Sequence, residues 1–341
     1  MKYILPLFLF FSSTCIAQNN AHYEQHLIQE IYKTQSKGDN YFAEGLFPTY
    51  REYYFNKGAY KNDDNIFFTA LIIATLQELK PKVGNSLKNI IDSIINNALP
   101  AFKKFQNRRG FPVYSFWMTT PIKYFPNSWL SIFKTNALPD DLDCSSIVLQ
   151  AINPPHSVVK EMHQYIQSYT NGKKQKVLST LTDYKKLPAY STWLSHKVPI
   201  DFDVCALSNV LVLVHKYNLK YTAADSASLK LVCEAVRKRQ YQTHPEIISP
   251  YYNRSPVILY HISKLMSTRF IPELEKYKND LIADAQLYYQ QANSFLDKII
   301  LSTSLLRWGA SPPDQLQDQF SNLSDNNFVF FVANMAAMSR F

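Results

Sequence analysis

The chain has 341 residues, of which 46% are hydrophobic and 14% aromatic, so it can bury a large core and is not disordered as a whole. Only seven glycines are present and none forms a GxGxxG or GxxxxGKS/T loop, which argues against a nucleotide-binding enzyme of the usual kinds. The formal charge is +9, but the basic residues are scattered, which is typical of a solvated surface and predicts no nucleic-acid partner.

The first residues predict an export signal. Lys2 precedes a short apolar run over residues 4–11, and Ala17 occupies a small position before a cleavage site. We therefore expect residues 1–17 to be a signal peptide and the mature protein to be periplasmic or secreted. A lipid on Cys15 is the less favoured alternative, because the residues before it make a poor lipidation motif. The apolar run is too short to anchor the chain, and no later segment predicts a transmembrane helix.

The remaining cysteines and the histidines predict neither a disulfide framework nor a metal site. Removal of the signal leaves Cys144, Cys205 and Cys233, an odd number in a large chain, so we interpret them as core thiols. The histidines are dispersed and form no HExxH motif, and no zinc-type spacing of Asp, Cys and His is present. We expect no metal and no cofactor.

Two kinds of helical segment alternate along the chain. Six amphipathic segments have apolar residues three and four apart: about 19–37, 84–107, 156–171, 223–238, 271–291 and 313–323. Six others are apolar nearly all round and belong inside: about 64–80, 141–152, 203–217, 256–268, 293–308 and 326–340. The alternation predicts an all-α fold, an α/α toroid in which about six helical hairpins form a double ring. We expect one such domain over residues 18–341.

The lengths of the connections place a candidate site. Connections from an inner helix to the next outer helix are short, whereas the segments that lead into inner helices are long: 38–63, 108–138, 172–202 and 239–255. Long connections in a compact domain are usually functional. We therefore expect the site at the rim formed by the N-terminal ends of the inner helices.

Aspartates concentrate at those N-terminal ends. Asp64 and Asp203 each stand where an inner helix begins, and Asp140, Asp141 and Asp143 fall within four residues. One aspartate per helix is explained by capping, because its carboxylate accepts hydrogen bonds from the free N–H groups of the first turn. Three carboxyls so close together exceed that need. Their mutual repulsion raises at least one pKa toward that of a useful general acid.

These segments resemble a known superfamily. The string LPDDLDCSSIVLQAI follows an aromatic-rich stretch, FPVYSFWMTTPIKYFPNSW, and precedes PIDFDVCALSNVLVLV by about sixty residues. Together they resemble the toroid superfamily of terpenoid cyclases and protein prenyltransferases. Its class II cyclases carry a DxDD motif at the start of an inner helix. Asp141 and Asp143 match the first and third positions, and Cys144 stands at the fourth. The resemblance implies that Asp143 protonates an alkene or an epoxide.

Two other classes of function remain open. A secreted carbohydrate-active toroid needs two carboxylates across a cleft, which Asp64, Asp143, Asp203 and Glu246 could supply. Aromatic residues in or near the long connections could stack on sugars, shield a carbocation or simply pack the loops: Tyr114, Trp117, Trp129, Tyr190, Trp193, Tyr251 and Tyr252. The third class is a non-catalytic toroid that binds a peptide, lipid or glycan in its central hollow. The partner that we expect is a small-molecule or glycan ligand in the central cavity.

Overall fold

The computed structural model describes residues 24–53, 56–132, 137–313 and 329–332. The chain groups into two compact units. Unit 1 contains the residues up to Arg108, Ser115–Leu138 and Gln150–Ile152, and unit 2 contains Arg109–Tyr114, Pro139–Leu149 and the residues from Asn153 onward. The single domain over 18–341 stays a prediction.

Most of the described chain is helical, which confirms the all-α class. In chain order the helices are α1 (24–34), α2 (Phe67–Leu79), α3 (Asn85–Phe102), α4 (Leu142–Ile152), α5 (His156–Ile166), α6 (Val204–Lys216), α7 (Ala223–Arg237), α8 (Gln240–Thr243), α9 (Pro245–Ile248), α10 (Ser255–Thr268), α11 (Pro272–Glu275), α12 (Lys278–Gln291) and α13 (Phe295–Arg307). The strands are short: β1 (Tyr50–Tyr53), β2 (Asn56–Asn62), β3 (Tyr114–Ser115) and β4 (Asp140–Asp141).

Unit 1 is built on the α2–α3 pair and an antiparallel β1–β2 hairpin. The helices bury small and branched apolar side chains, among them Ile73 on α2 and Ile91 and Ile94 on α3. Gln35, just after α1, donates its side-chain amide to the carbonyl oxygen of Ile94 at 2.9 Å. This bond ties the segment after α1 to α3.

Unit 2 contains helices that are buried on all sides. Every residue of α6 from Val204 to Val214 is buried, as its unbroken apolar run predicts. Helix α10 packs against α6 on one side and α13 on the other. The amphipathic helices α7 and α12 pack on α6 and α13 and leave polar faces exposed. Successive hairpins of unit 2 therefore lie side by side in chain order.

The structure shifts one predicted helix and interrupts another. Helix α2 starts at Phe67 rather than near residue 64, because Asn65 pairs with Trp117 in a β-bridge and the Ile66 N–H donates to the Phe116 carbonyl oxygen at 3.2 Å. Residues 329–332 are not helical, although the sequence predicts a helix over 326–340. A short apolar run does not distinguish a helix from an extended segment.

Several sequence predictions fall outside the described residues. They are the signal peptide over 1–17, the start of the segment at 19–37, the amphipathic segment at 313–323 beyond its first residue, and the parts of 326–340 that flank residues 329–332. Among the helices that the structure does describe, none has the length and apolar character needed to cross a membrane.

Candidate functional site

The N-terminal ends of α4 and α6 bring four carboxyl groups into the interior of unit 2. We call Asp141, Asp143, Asp201 and Asp203 the acid cluster. Their exposed fractions are 4%, 5%, 2% and 0%, so each carboxyl is removed from bulk water. Burial of a carboxylate is costly unless it is hydrogen-bonded or protonated. The hydrogen bonds of each member therefore determine what it can do.

Asp203 is the N-cap of α6. Its Oδ1 accepts hydrogen bonds from the N–H groups of Cys205 at 2.8 Å and Ala206 at 3.1 Å, and from the Ser249 hydroxyl at 2.8 Å. Its Oδ2 accepts from the Tyr251 N–H at 3.0 Å. Burial nevertheless raises the pKa of Asp203 to about 7. With four donors on its two oxygens, Asp203 fixes the start of α6 and the Ser249–Tyr251 segment.

Asp141 is the N-cap of α4. Its Oδ1 accepts a hydrogen bond from the Cys144 N–H at 2.6 Å. Its Oδ2 is buried and has no hydrogen-bond partner within the described residues. Burial raises the pKa of Asp141 to about 8, and the nearby charge of Asp143 adds to the rise. Asp141 is therefore mostly protonated at neutral pH.

Asp143 lies in the first turn of α4 but does not cap it. Its Oδ1 accepts a hydrogen bond from the Asn209 side-chain amide at 2.8 Å, and its Oδ2 accepts one from the Tyr252 hydroxyl. Burial raises the pKa of Asp143 to about 6, against the lowering effect of these two donors and of the buried Lys264 ammonium. The carboxyl thus exchanges its proton close to neutral pH.

Aromatic side chains cover this end of unit 2. We call Trp193, Tyr251, Tyr252 and His261 the aromatic wall; all four are buried. The Trp193 indole N–H donates to the Tyr251 hydroxyl at 2.8 Å, and that hydroxyl donates to Oδ2 of Asp201 at 2.8 Å. The Tyr252 ring lies 4.7 Å from the His261 ring, centre to centre. The wall therefore combines apolar ring surface with hydroxyls on the acid cluster.

His261 is neutral. Its Nδ1 lies 2.9 Å from the Val257 carbonyl oxygen, which identifies Nδ1 as the protonated nitrogen. Burial lowers the pKa of His261 to about 3. The only basic side chain of α10 that acts on Asp143 is then Lys264, among the described residues.

Three other candidates of unit 2, Tyr190, Asp140 and Glu246, are not members of the acid cluster, although the charge of Asp140 adds to the raised pKa of Asp141. In unit 2, the Tyr190 hydroxyl donates to Oδ1 of Asp225 at 2.9 Å, in a network at the start of α7. The Asp140 backbone carbonyl accepts from the Leu194 N–H at 2.9 Å, and Glu246 is exposed on α9. These bonds tie down the loops of unit 2 in which Tyr190 and Asp140 lie.

Three candidates belong to unit 1: Asp64, Trp117 and the exposed Trp129. The Trp117 indole N–H donates to Oδ1 of Asp63 at 3.0 Å, and Asp64 forms an ion pair with Lys123 at 2.6 Å. Asp64 does not cap α2, whose N-cap is Ile66. The paired acids Asp63 and Asp64 therefore hold the loops that precede α2.

The sequence analysis missed several contributors to the site, among them Asn209, Ser249 and Lys264. Asn209 interrupts the apolar run VCALSNVLVLV, and Lys264 is the one charged residue in PVILYHISKLM. A polar side chain inside an otherwise apolar helix needs a buried partner, which is the signal that could have identified both. Ser249 lies in a loop and gives no such signal.

The residue that follows Asp143, at the fourth position of the DxDD-like string, is a cysteine. Cys144 and Cys205 are buried and Cys233 is half-buried, and all three are free. Burial and the nearby Asp141 raise the pKa of Cys144 well above its usual value. Cys144 is thus a neutral, weakly polar neighbour of Asp143 and does not act as a second acid.

Comparison of the chain with protein-family models, with curated proteins and with solved structures found no match. Within the described ranges, no group of three or more His, Cys, Asp or Glu side chains is arranged to hold a metal ion.

Proposed function

We propose that this protein is a terpenoid-cyclase-like enzyme in which Asp143 is the general acid toward an apolar alkene or epoxide. One observation carries the proposal. A buried carboxyl with a pKa of about 6 is held by Asn209 and Tyr252 beside an aromatic wall. An ordinary aspartate, with a pKa of about 4, is ionised at neutral pH and has no proton to give. Asp143 keeps a protonated fraction there.

The proposed reaction is an isomerisation. Asp143 transfers its carboxyl proton to an alkene carbon or an epoxide oxygen, and a carbocation forms on the substrate. Ring closure moves that charge along the substrate, and a carbon atom then loses a proton to water, while the Asp143 carboxylate takes a proton back from solvent. No electrons are gained or lost, and no water is added, so product and substrate have the same mass. Aromatic faces of the wall stabilise the cation through their negative quadrupole.

Neighbouring groups tune the acid. The hydrogen bonds from Asn209 and Tyr252 fix the carboxyl and stabilise the carboxylate that remains after proton transfer. The pKa of Asp141, about 8, keeps this neighbour neutral, so it does not repel the new carboxylate. We assign Asp141 as a positioning residue and Asp143 as the acid.

Two broader proposals accompany this function. The side-by-side hairpins of unit 2 support the α/α toroid as the arrangement to which they belong. The amino-terminal signal supports export to the periplasm or beyond. Neither is needed for the chemistry of Asp143.

The carbohydrate-active alternative has less support. Glycoside hydrolysis needs two carboxyls that act as acid and base, whereas Asp203 receives four hydrogen bonds and Asp64 is paired with Lys123. The non-catalytic alternative predicts ligand binding that does not depend on a proton at Asp143. Both alternatives are outcomes of the experiment that follows.

The test uses squalene and its terminal epoxide as probes, with products analysed by mass spectrometry. We expect products of unchanged mass from the native protein. Asp143→Asn should lose about 100-fold or more in turnover, because an amide cannot act as a general acid. Asp280→Asn, an exposed carboxylate on α12, is the matched control and should keep full activity. Turnover should also fall as the pH rises through about 6, since the acid must be protonated.

The outcomes separate the three classes of function. Full activity of Asp143→Asn would exclude Asp143 as the acid. Products that contain added water from oligosaccharide probes, with none from the polyenes, would favour the carbohydrate-active class. Binding of polyenes without conversion, equal in the native protein and in Asp143→Asn, would favour the non-catalytic class.

A further inference from the structure

Residues 329–332 lie against the aromatic wall. The Phe331 ring is 5.5 Å from the Tyr252 ring, with 72° between the planes, and it stacks on Tyr251 at 6.3 Å and 15°. The Phe330 ring is 5.7 Å from the His261 ring and 5.9 Å from the Tyr252 ring. We call this segment the strap. It covers the ring whose hydroxyl donates to Asp143.

The strap and the wall differ in burial. Tyr252 and His261 are both 1% exposed, whereas Phe330 and Phe331 are half-buried and Val329 is 43% exposed. Two backbone groups of the strap are bonded to the 251–254 segment. The Val332 N–H donates to the Tyr251 carbonyl oxygen at 2.9 Å, and Arg254 donates to the Val329 carbonyl oxygen at 3.0 Å. The strap is thus a surface layer over a buried wall.

We propose that the strap occupies the position of an apolar ligand and that such a ligand displaces it. The proposal rests on the proposed function, which requires apolar substrate near Asp143. An apolar or aromatic ligand would contact the same faces of Tyr251, Tyr252 and His261 that Phe330 and Phe331 now cover. The strap therefore shields these rings from water in the free protein and competes with the ligand.

The apparent dissociation constant of a ligand is its intrinsic value divided by the fraction of molecules whose site is open. Removal of the strap rings should make every molecule open. Ligand affinity should then increase by a factor equal to the reciprocal of the fraction of native molecules whose site is open.

The experiment compares the full chain with the double variant Phe330→Ala/Phe331→Ala, and uses the neutral apolar dye Nile red as the probe. The double variant should bind the dye about tenfold or more tightly than the native protein, as expected when a closed site becomes open. Phe270→Ala is the matched control, because Phe270 is an apolar side chain that is 71% exposed. The control should bind the dye as the native protein does.

A competition experiment distinguishes a vacated site from a loosened protein. The hexapeptide FVFFVA, the sequence of residues 328–333, should displace Nile red from the double variant, and a scrambled acidic peptide should not. Equal dye affinity in native protein and double variant would overturn the proposal. Enhanced dye binding that the peptide does not reduce would also overturn it, because the dye would then mark exposed core.

A second variant covers the case in which the double variant fails to fold. Val332→Pro removes the N–H that bonds to the Tyr251 carbonyl oxygen and deletes no aromatic side chain. Like the double variant, Val332→Pro should bind the dye more tightly than the native protein does. The result is independent of chemistry: tight dye binding by a protein that converts no polyene would support the strap and contradict the proposed function. Conversion of polyenes, with equal dye affinity in the native protein and the strap variants, would support the proposed function and contradict the strap.

Discussion

Asp143 and Asp203 show how two aspartates at the starts of neighbouring buried helices acquire different roles. Asp203 receives four hydrogen bonds, two of them from the first turn of its own helix. Asp143 receives two, both from side chains of other segments. A carboxyl saturated by backbone donors stabilises structure. A carboxyl that is held by the Asn209 amide and the Tyr252 phenol, like that of Asp143, keeps a lone pair available for a proton.

The sequence predicts part of this site and cannot predict the rest. Crowded aspartates at helix starts identify the acids, because both the capping preference and the repulsion between like charges are local. The hydroxyl on Asp143 comes from Tyr252, 109 positions away. Tyr190 has the same local character but bonds Asp225 instead. The local sequence around each tyrosine does not indicate that Tyr252 bonds Asp143 and that Tyr190 bonds Asp225.

Replacement of Tyr252 by Phe tests the hydrogen bond to Asp143. The hydroxyl stabilises the carboxylate form, so its removal should raise the pKa of Asp143 above about 6. The activity profile should then extend to higher pH, while the apolar ring surface is kept. At about pH 8 the variant should also lose roughly 1–3 kcal/mol of unfolding free energy, because a buried carboxylate loses a donor.

Two measurements check this expectation: the pH dependence of turnover and carbon NMR of the Asp143 carboxyl. Tyr60→Phe is the control, since Tyr60 is 56% exposed and lies in unit 1. A pKa of Asp143 that stays unchanged or decreases in Tyr252→Phe would contradict the assignment of Tyr252 as its hydrogen-bond donor.

At the scale of helices and strands, a long apolar run predicts a buried helix, whereas a short one does not determine the conformation. The run in α6 is long, apolar on every side and followed by polar residues, so burial and helix coincide. The run FVFFVA is shorter, and β-branched and aromatic residues dominate it, so its pattern fits an extended segment as well. Tertiary contacts with Tyr251 decide the conformation there. The β1–β2 hairpin lies within residues 38–63, which the helical pattern leaves as a long connection.

Gly45 marks a close approach that the sequence does not reveal. Its φ is +85°, and a Cβ at this position would lie 2.0 Å from the carbonyl oxygen of Asn97 on α3. Both atoms belong to unit 1, and the clash is with backbone, which cannot turn aside. Gly45 is thus required where the chain before β1 crosses α3.

Gly45→Ala should therefore destabilise the protein by about 3 kcal/mol or more, because left-handed strain and the backbone clash add. Gly58→Ala is a matched control, with φ of +84° and nothing within 4 Å of its Cβ. It should lose only about 1–2 kcal/mol, the cost of the strained backbone alone. Urea unfolding of both variants provides the comparison. Equal losses would show that the contact with Asn97 is unimportant.

At the scale of the whole molecule, the buried acids determine how stability depends on pH. Burial raises the pKa of Asp141, Asp143 and Asp203 to about 8, 6 and 7. Between the unfolded value of about 4 and these folded values, the folded protein holds protons that the unfolded chain releases. Unfolding free energy should therefore decrease as the pH rises through this window. Asp225, whose pKa is lowered by its bond to His163, acts in the opposite direction at lower pH.

Asp141→Asn removes one of the protons that the folded protein holds and the unfolded chain releases in this pH window. Asparagine keeps a side-chain oxygen that can accept the Cys144 N–H, so the cap of α4 is preserved. The neutral amide removes a group that the native fold must keep protonated. Between about pH 5 and pH 8 the native protein should lose stability more steeply than the variant, by up to roughly 1.4 kcal/mol per pH unit for one proton. Denaturant unfolding at both pH values measures the difference, with Asp280→Asn as the exposed control. Parallel profiles for native protein and Asp141→Asn would mean that Asp141 is ionised in the folded state, and its role as a neutral neighbour of Asp143 would then be wrong.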